Sequence, residues 1–261
     1  MDTTDNTAKI SNAMKITASL VFCVGLGLGL LTIASAAGVW VGFWDFRRGF
    51  VLLRAANDYG DIVLWISLGI TVALAVGSQV LKIKDGSKIL MMAATGTVIA
   101  YYIPASFRPG EGVNYPPIHD ISTNLIAPPE FVDILPLRVD AANTVVYGGS
   151  DNMTHERLVQ LTNEAYPDLV TRSYPEPFEE VFNKALAAVN ELGWELVADA
   201  INEGRIEAID TTFWFRFKDD IVIDIKRAGS ETLVDARSLS RVGVGDVGAN
   251  AIRLRNFFEL I

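Results

Sequence analysis

The 261-residue chain has a single cysteine, Cys23, and only two histidines, His119 and His155. One thiol inside a hydrophobic run excludes a disulfide framework and a cysteine-based zinc site, and it leaves the redox compartment open. Two histidines with scattered carboxylates lack the ligand spacing of a metal centre, so no metal and no cofactor is expected. Neither a nucleophile-elbow pattern nor an HExxH helix occurs, which removes two common hydrolase signatures. Proline is missing from the first 103 residues, and all ten prolines fall between Pro104 and Pro177. Basic residues are scarce in the C-terminal half: from Pro117 onward there are 13 against 24 acidic ones, whereas the first 116 residues carry nine and seven. The net charge of −9 therefore belongs to the C-terminal half. An acidic domain repels phosphate backbones, which argues against nucleic acid as a partner, and it offers no polybasic membrane contact.

Charge is also absent from three long stretches. Ile16 to Trp44 runs uncharged for about 29 residues, beyond the roughly 20 that a helix needs to cross the hydrocarbon core. Ile62 to Leu81 carries only Ser67, Thr71, Ser78 and Gln79 as polar side chains, and Ile89 to Ile103, shorter, ends in Tyr101 and Tyr102, which suit the interfacial belt. These predict three membrane spans (16–44, 62–81 and 89–103) within a transmembrane region 16–104, preceded by a cytoplasmic tail 1–15 and in contact with the lipid bilayer. A cleaved signal peptide ending near Ala34-Ser35-Ala36 is the rival for the first span, but its apolar run is too long and continues past the cut. Gly25 and Gly29, and Gly38 and Gly42, fit the small-xxx-small spacing of close helix approach, or are glycines merely tolerated in a membrane helix. No ionisable group lies within the three cores, which disfavours a transporter or channel. Lys9, Lys15, Lys82, Lys84 and Lys88 on one side outnumber Arg47, Arg48, Arg54 and Arg108 on the other, so everything after Pro104 is expected outside the cytoplasm, across a bacterial inner membrane. Phe43 to Ala56 reads as an amphipathic helix at the outer interface.

Residues 105–175 form a proline-rich neck, too punctuated for long helices and too apolar for a free spacer, which is expected to wrap the following domain. One short helix is predicted there, capped by Thr154 and burying Leu158, Leu161 and Ala165. Beyond it, residues 176–261 read as an α+β core. A helix from Pro177 to Gly193 is followed by four strands (Trp194–Ala200, Arg205–Phe217, Ile221–Lys226, Thr232–Ser238) with turns at Asn202/Gly204, Asp219/Asp220 and Gly229. A closing helix spans about Asp246 to Leu260. Short connections make this a four-stranded antiparallel meander with two helices on one face.

Several separated motifs, Pro117-Ile-His-Asp-Ile-Ser-Thr, Tyr166-Pro-Asp, Gly204-Arg-Ile-Glu-Ala, Asp219-Asp220 and the run from Arg237-Ser-Leu-Ser-Arg through Arg253, occur in order. With them, residues from about 117 to 261 resemble the family known as domain of unknown function 1499, some of whose members are membrane-attached. The resemblance implies no reaction.

The densest polar constellation is Arg237, Ser238, Ser240, Arg241, Asp246, Asn250 and Arg253. Guanidinium forks and hydroxyls leading through Gly243 and Gly245 to a helix N-terminus have the layout of an anion pocket. Against that, Asp246 is placed to be the helix N-cap, and the arginines can pair with it to lock the corner. Arg237, on the strand, is expected to be structural, and Arg241, beyond its end, to be available to a ligand. His119 beside Asp120 invites a general-base reading, but a neck histidine that hydrogen-bonds the domain is the stronger one. Phe213, Trp214, Phe215 and Phe217 are expected in a strand, as core or as a pocket wall; Glu207 and Asp210, which as two carboxylates on one strand could act as acid and base, are expected instead at solvent or paired with an arginine. The leading functional reading is a membrane-anchored extracytoplasmic binding or assembly module for a protein partner or lipid-like ligand, leaning away from an enzyme. The alternative is an extracytoplasmic hydrolase or transferase using the 237–253 corner.

Overall fold

The computed structural model describes residues 3–108, 115–149 and 153–261. The chain divides into two compact units, Met1–Gly110 and Glu111–Ile261.

The first unit is a transmembrane bundle of three helices: α1 (Thr3–Trp40), α2 (Phe46–Val80) and α3 (Gly86–Ala105), each long and apolar enough to cross a membrane. Its contacts run through small residues. A Cβ on Gly25 would sit 2.0 Å from the Gly96 carbonyl, and one on Gly96 would sit 2.5 Å from Phe22 Cα, so α1 and α3 touch backbone to backbone. Gly29 faces Ile99 and Ile103, and Gly38 lies under the Trp44 ring, whose indole N–H donates to the Ser35 carbonyl. Gly42 serves the turn instead, at φ 74°, with open space around it. Thr71 and Thr97 share a buried hydrogen bond of 3.3 Å, the sort of polar contact that joins helices in lipid. Lys15 pairs with Asp85 at 2.8 Å, and Arg108 reaches both Asn57 and Asp61.

Two details of this unit differ from the sequence reading. The first apolar run leaves the helix at Trp40, where the Gly42 turn intervenes. Residues 46–56, expected as a separate interfacial helix, are the first turns of α2, which starts on the Asp45 cap (Asp45 carboxylate to Arg48 N–H, 2.9 Å). Nothing breaks α2 after Ala56: Asn57 donates back to the Leu53 carbonyl, and Gly60 is held against the Ala100 carbonyl of α3.

The second unit is an antiparallel sheet with helices. Among the described residues it has strands β1 (Asp120–Ser122), β2 (Arg172–Tyr174), β3 (Glu195–Ala200), β4 (Arg205–Thr211), β5 (Lys218–Ala228) and β6 (Glu231–Ser240), and helices α4 (His155–Ala165), α5 (Phe178–Glu191) and α6 (Ala249–Phe258). The sheet runs β3-β4-β5-β6, with β1 and β2 both on the outer edge of β6, β1 beside Arg237–Leu239 and β2 beside Thr232–Val234. It is thus six-stranded, not four-stranded. The extra strands are three residues each, too short for an alternating pattern to register, and they come from the proline-rich segment.

Side chains alternate between the faces, and both faces are covered. On one, Ile206, Ala208, Ile221, Ile223, Ile225, Val234 and Ala236 pack with Val181, Phe182, Ala185 and Val189 of α5 and Ala251, Leu254 and Phe257 of α6. On the other, Ile209, Val222 and Leu239 pack beneath Phe131 and Ile134 of the neck. The α4 cap is Thr154, whose hydroxyl accepts from Arg157 N–H, and its buried side is Leu158 and Thr162, with Leu161 and Ala165 partly buried.

Residues 213–217 are not strand. Pairing of β4 with β5 ends at Thr211 and Lys218, and the six residues between make a closed loop, Thr212 N–H donating to the Phe217 carbonyl (2.8 Å) and Phe217 N–H to the Thr212 hydroxyl (2.9 Å). Aromatic propensity favours a strand only where the backbone continues a ladder, and the β4–β5 ladder stops at Thr211 and Lys218. Asp219 and Asp220, read as a turn, lie inside β5.

The glycine packing yields a paired test. Gly25→Ala is expected to lower the thermal midpoint of the detergent-purified protein, at a cost of about 1–3 kcal/mol for overpacking. Gly27→Ala, with nothing within 4 Å, is expected to leave it unchanged.

Candidate functional site

Because both faces of β5 and β6 are buried, the alternation that places apolar residues on each face also buries charge on each face. Asp219 and Asp220 are neighbours in sequence and point to opposite sides.

On the helix face, Arg253 of α6 donates to Asp219 (2.7 Å), Asp210 (2.9 Å), the Asn250 side-chain carbonyl (2.5 Å) and the Ser238 hydroxyl (3.2 Å). Asn250 in turn accepts from Ser238 (2.6 Å) and donates to Ser240 (2.9 Å) and to the His119 carbonyl (3.0 Å). Four of the seven corner residues therefore form one closed network that fixes α6 to β6.

Arg237 and Arg241 lie on the other face. Arg237 is buried, and its fork meets Asp120 with both ends (2.9 and 2.8 Å), while further N–H groups donate to the carbonyls of Pro129 (3.1 Å) and Val145 (2.7 Å). Its guanidinium also lies 5.0 Å from the Phe131 ring centre and 5.2 Å from that of Tyr147. Arg241 is not swung toward the helix N-terminus: it donates to Asp220 (3.0 and 2.7 Å) and to the Leu137 carbonyl (2.6 Å). Fully buried Asp220 also receives Arg138, whose other nitrogen donates to the Asn143 carbonyl (2.8 Å). Burial, and then the nearby Arg241, pull Arg138 below the usual arginine range against the attraction of Asp220.

Asp246 completes the corner from an unexpected position. The α6 N-cap is Gly248 in the left-handed conformation (φ 80°), without a side-chain bond. Asp246, two residues earlier, accepts from the N–H groups of Gly248 (2.9 Å) and Asn250 (2.8 Å), so the orphan donors of the helix start are met by the protein itself. Burial holds its carboxyl above the ordinary aspartate range despite those two amides.

Of the two placements expected for Glu207 and Asp210, solvent or an arginine, the structure has the second: Glu207 meets Arg205 and Asp210 meets Arg253. Glu207 is fully buried and accepts from three consecutive neck amides, Val132 (2.8 Å), Asp133 (3.2 Å) and Ile134 (2.8 Å), and from Arg205. Asp235 likewise gathers the hydroxyls of Thr123 (2.9 Å) and Thr171 (2.6 Å) and the Asn124 amide (3.1 Å). Arg138, Arg205 and Asp235 were not singled out from the sequence. A signal existed for the first: Arg138 is the only lysine or arginine between Arg108 and Arg157.

His119 and Asp120 diverge. Asp120 is committed to Arg237, whereas His119 is half-exposed with Nδ1 3.0 Å from the Val244 carbonyl. His119 lies in the wall of a cleft of about 550 Å³. Pro117, Ile118, Ala142, Val146, Met153, Leu158 and Val244 give that wall its apolar character, and His119, Asn143 and Thr144 its polar groups. Its volume is in the range of small-molecule sites, and so is its mixture of apolar wall and few polar groups.

Fold and site together define a class: an α+β sheet domain, buried on both faces and laced by arginine–carboxylate pairs, that follows a three-helix transmembrane bundle. A family model described as "Protein of unknown function (DUF1499)" matches residues 120–261, and the chain belongs to that family. No curated protein and no solved structure matches it.

Two expectations follow for the purified full-length protein. Arg237→Gln leaves Asp120 buried without its partner and is expected to cost about 3–5 kcal/mol, read as a lowered denaturation midpoint. Arg241→Gln, which leaves Asp220 with Arg138, is expected to cost less. The second concerns pH. A carboxyl whose folded pKa is raised binds protons more readily in the folded state, so its ionisation weakens the fold as pH rises through the interval above about 4. Relative to Asp246→Asn, the natural protein is therefore expected to gain stability as pH falls from neutrality toward about 4. A difference independent of pH would contradict the assignment.

Proposed function

We propose that the chain is a membrane-anchored, extracytoplasmic binding module in a bacterial inner membrane, and that the cleft beside His119 receives a lipid-like ligand. The observation that carries this reading is the contrast between the two candidate sites. In the 237–253 corner each arginine already ends on a carboxylate and the helix N–H groups already have Asp246. The cleft instead combines apolar walls with the His119 imidazole, which suits an acyl chain ending in a polar group. The same contrast weighs against a hydrolase or transferase that would need the corner as an anion pocket.

Ala142 is exposed on the cleft wall, so Ala142→Trp fills the space without disturbing the core. Native mass spectrometry of the detergent-purified protein is expected to detect co-purifying lipid, and the variant to lose at least about tenfold in affinity for a fluorescent fatty-acid probe, with an unchanged thermal midpoint. Equal probe binding by both proteins would overturn the reading. Sidedness is checked separately: a reporter active only in the cytoplasm, fused after Ile261, is expected to remain inactive.

A further inference from the structure

The loop between β4 and β5 has a composition unlike the rest of its domain. Thr211-Thr-Phe-Trp-Phe-Arg-Phe-Lys218 holds four aromatic residues and two cations and not one acid, in a domain where acids outnumber basic residues 24 to 13 from Pro117 onward. Two of the rings are displayed: Phe213 is 66% exposed and Trp214 45%, edge to face with centres 5.2 Å apart. Behind them Phe215 is buried and stacked on Phe217 at 5.9 Å, which roots the tip. The two hydrogen bonds between Thr212 and Phe217 close the loop. Arg216 is held at φ 56°, a conformation that non-glycine residues rarely adopt. The tip is thus a preformed platform rather than a slack connection.

We propose that this tip is a membrane-interface anchor, seating Phe213 and Trp214 among the lipid headgroups with Arg216 and Lys218 beside the phosphates. Tryptophan and cationic side chains are the groups that favour that layer, because an amphipathic ring and a cation each find both their partners there. Charge complementarity selects the tip over the remaining surface, since an acid-rich face is repelled by anionic lipids while this acid-free loop is attracted. Geometry permits it. Arg108 is bonded to Asn57 and Asp61 and Tyr115 packs against Gly248, so the seven steps of chain between them, at most about 25 Å, keep the domain close to the bilayer. Tethering also raises the local lipid concentration, so two aromatic side chains suffice where a free domain would need more.

The test uses the full-length protein in nanodiscs of phosphatidylcholine with about 30% phosphatidylglycerol, a proportion that gives a negative surface. Subtracting the emission of Trp214→Phe, which keeps an aromatic ring and the fold, isolates Trp214 from the other four tryptophans. Lipids brominated near the headgroup are expected to quench roughly half of that emission or more, as for an interfacial indole. Lys218→Gln is expected to reduce the quenching in anionic but not in purely zwitterionic discs. Emission that is red-shifted and unquenched, showing the ring in water, would overturn the proposal. So would emission that is blue-shifted yet unquenched, which would put Trp214 against protein instead of lipid.

Discussion

A sheet buried on both faces has nowhere to put a charge except against its opposite, and that constraint organises the second unit. Asp219 and Asp220, adjacent on β5, must point to opposite faces, and each finds an arginine there: Arg253 from α6 on one side, Arg138 and Arg241 on the other. An unpaired carboxylate at either position would face a desolvation cost of several kcal/mol. The helix and the neck are therefore not merely packed on the sheet by apolar contact. They deliver the countercharges that offset the cost of burying the sheet's own acids.

The same logic accounts for two of the motifs on which the sequence resemblance rests. In Arg237-Ser-Leu-Ser-Arg241, period-two alternation sends the two arginines to the neck side and the two serines into the α6 network. In Arg205-Ile-Glu-Ala208, Arg205 and Glu207 grip the turn at residues 132–134 while Ile206 and Ala208 enter the helix-side core. Residues that look like an active site in one dimension are thus explained by the folding of three layers onto one another. The network also leaves open an apolar cleft where the neck, the lead into β1 and the 243–244 loop meet.

How much of this was legible follows from the length of each signal. Uninterrupted apolar runs and the periodic helices at Phe178–Glu191 and Ala249–Phe258 could be read directly, because many residues repeat one pattern. The strands β1 and β2 could not, since three residues carry no period and their pairing with β6 is made across more than 50 residues of chain. The 213–217 loop reads as strand because aromatic residues are strand formers, and only the end of the β4–β5 ladder at Thr211 and Lys218 distinguishes the two. The corner residues read along the chain as one polar constellation, but alternation splits them between two faces, and which arginine meets which acid depends on the neck's path. Asp246 was legible as the group serving the helix start, though it acts from two residues before the cap.

If the neck is part of the fold rather than a strap laid over it, its protected amides open only when the sheet opens. Native-state hydrogen exchange on the full-length protein measures this at Thr123, Val132 and Ile134, whose N–H groups are held by the Ala236 carbonyl and by Glu207. The account predicts that these amides share the opening free energy and denaturant dependence of Ile223 and Val234 in the central strands. Exchange of the three neck amides through local opening, while β5 and β6 stay protected, would contradict it.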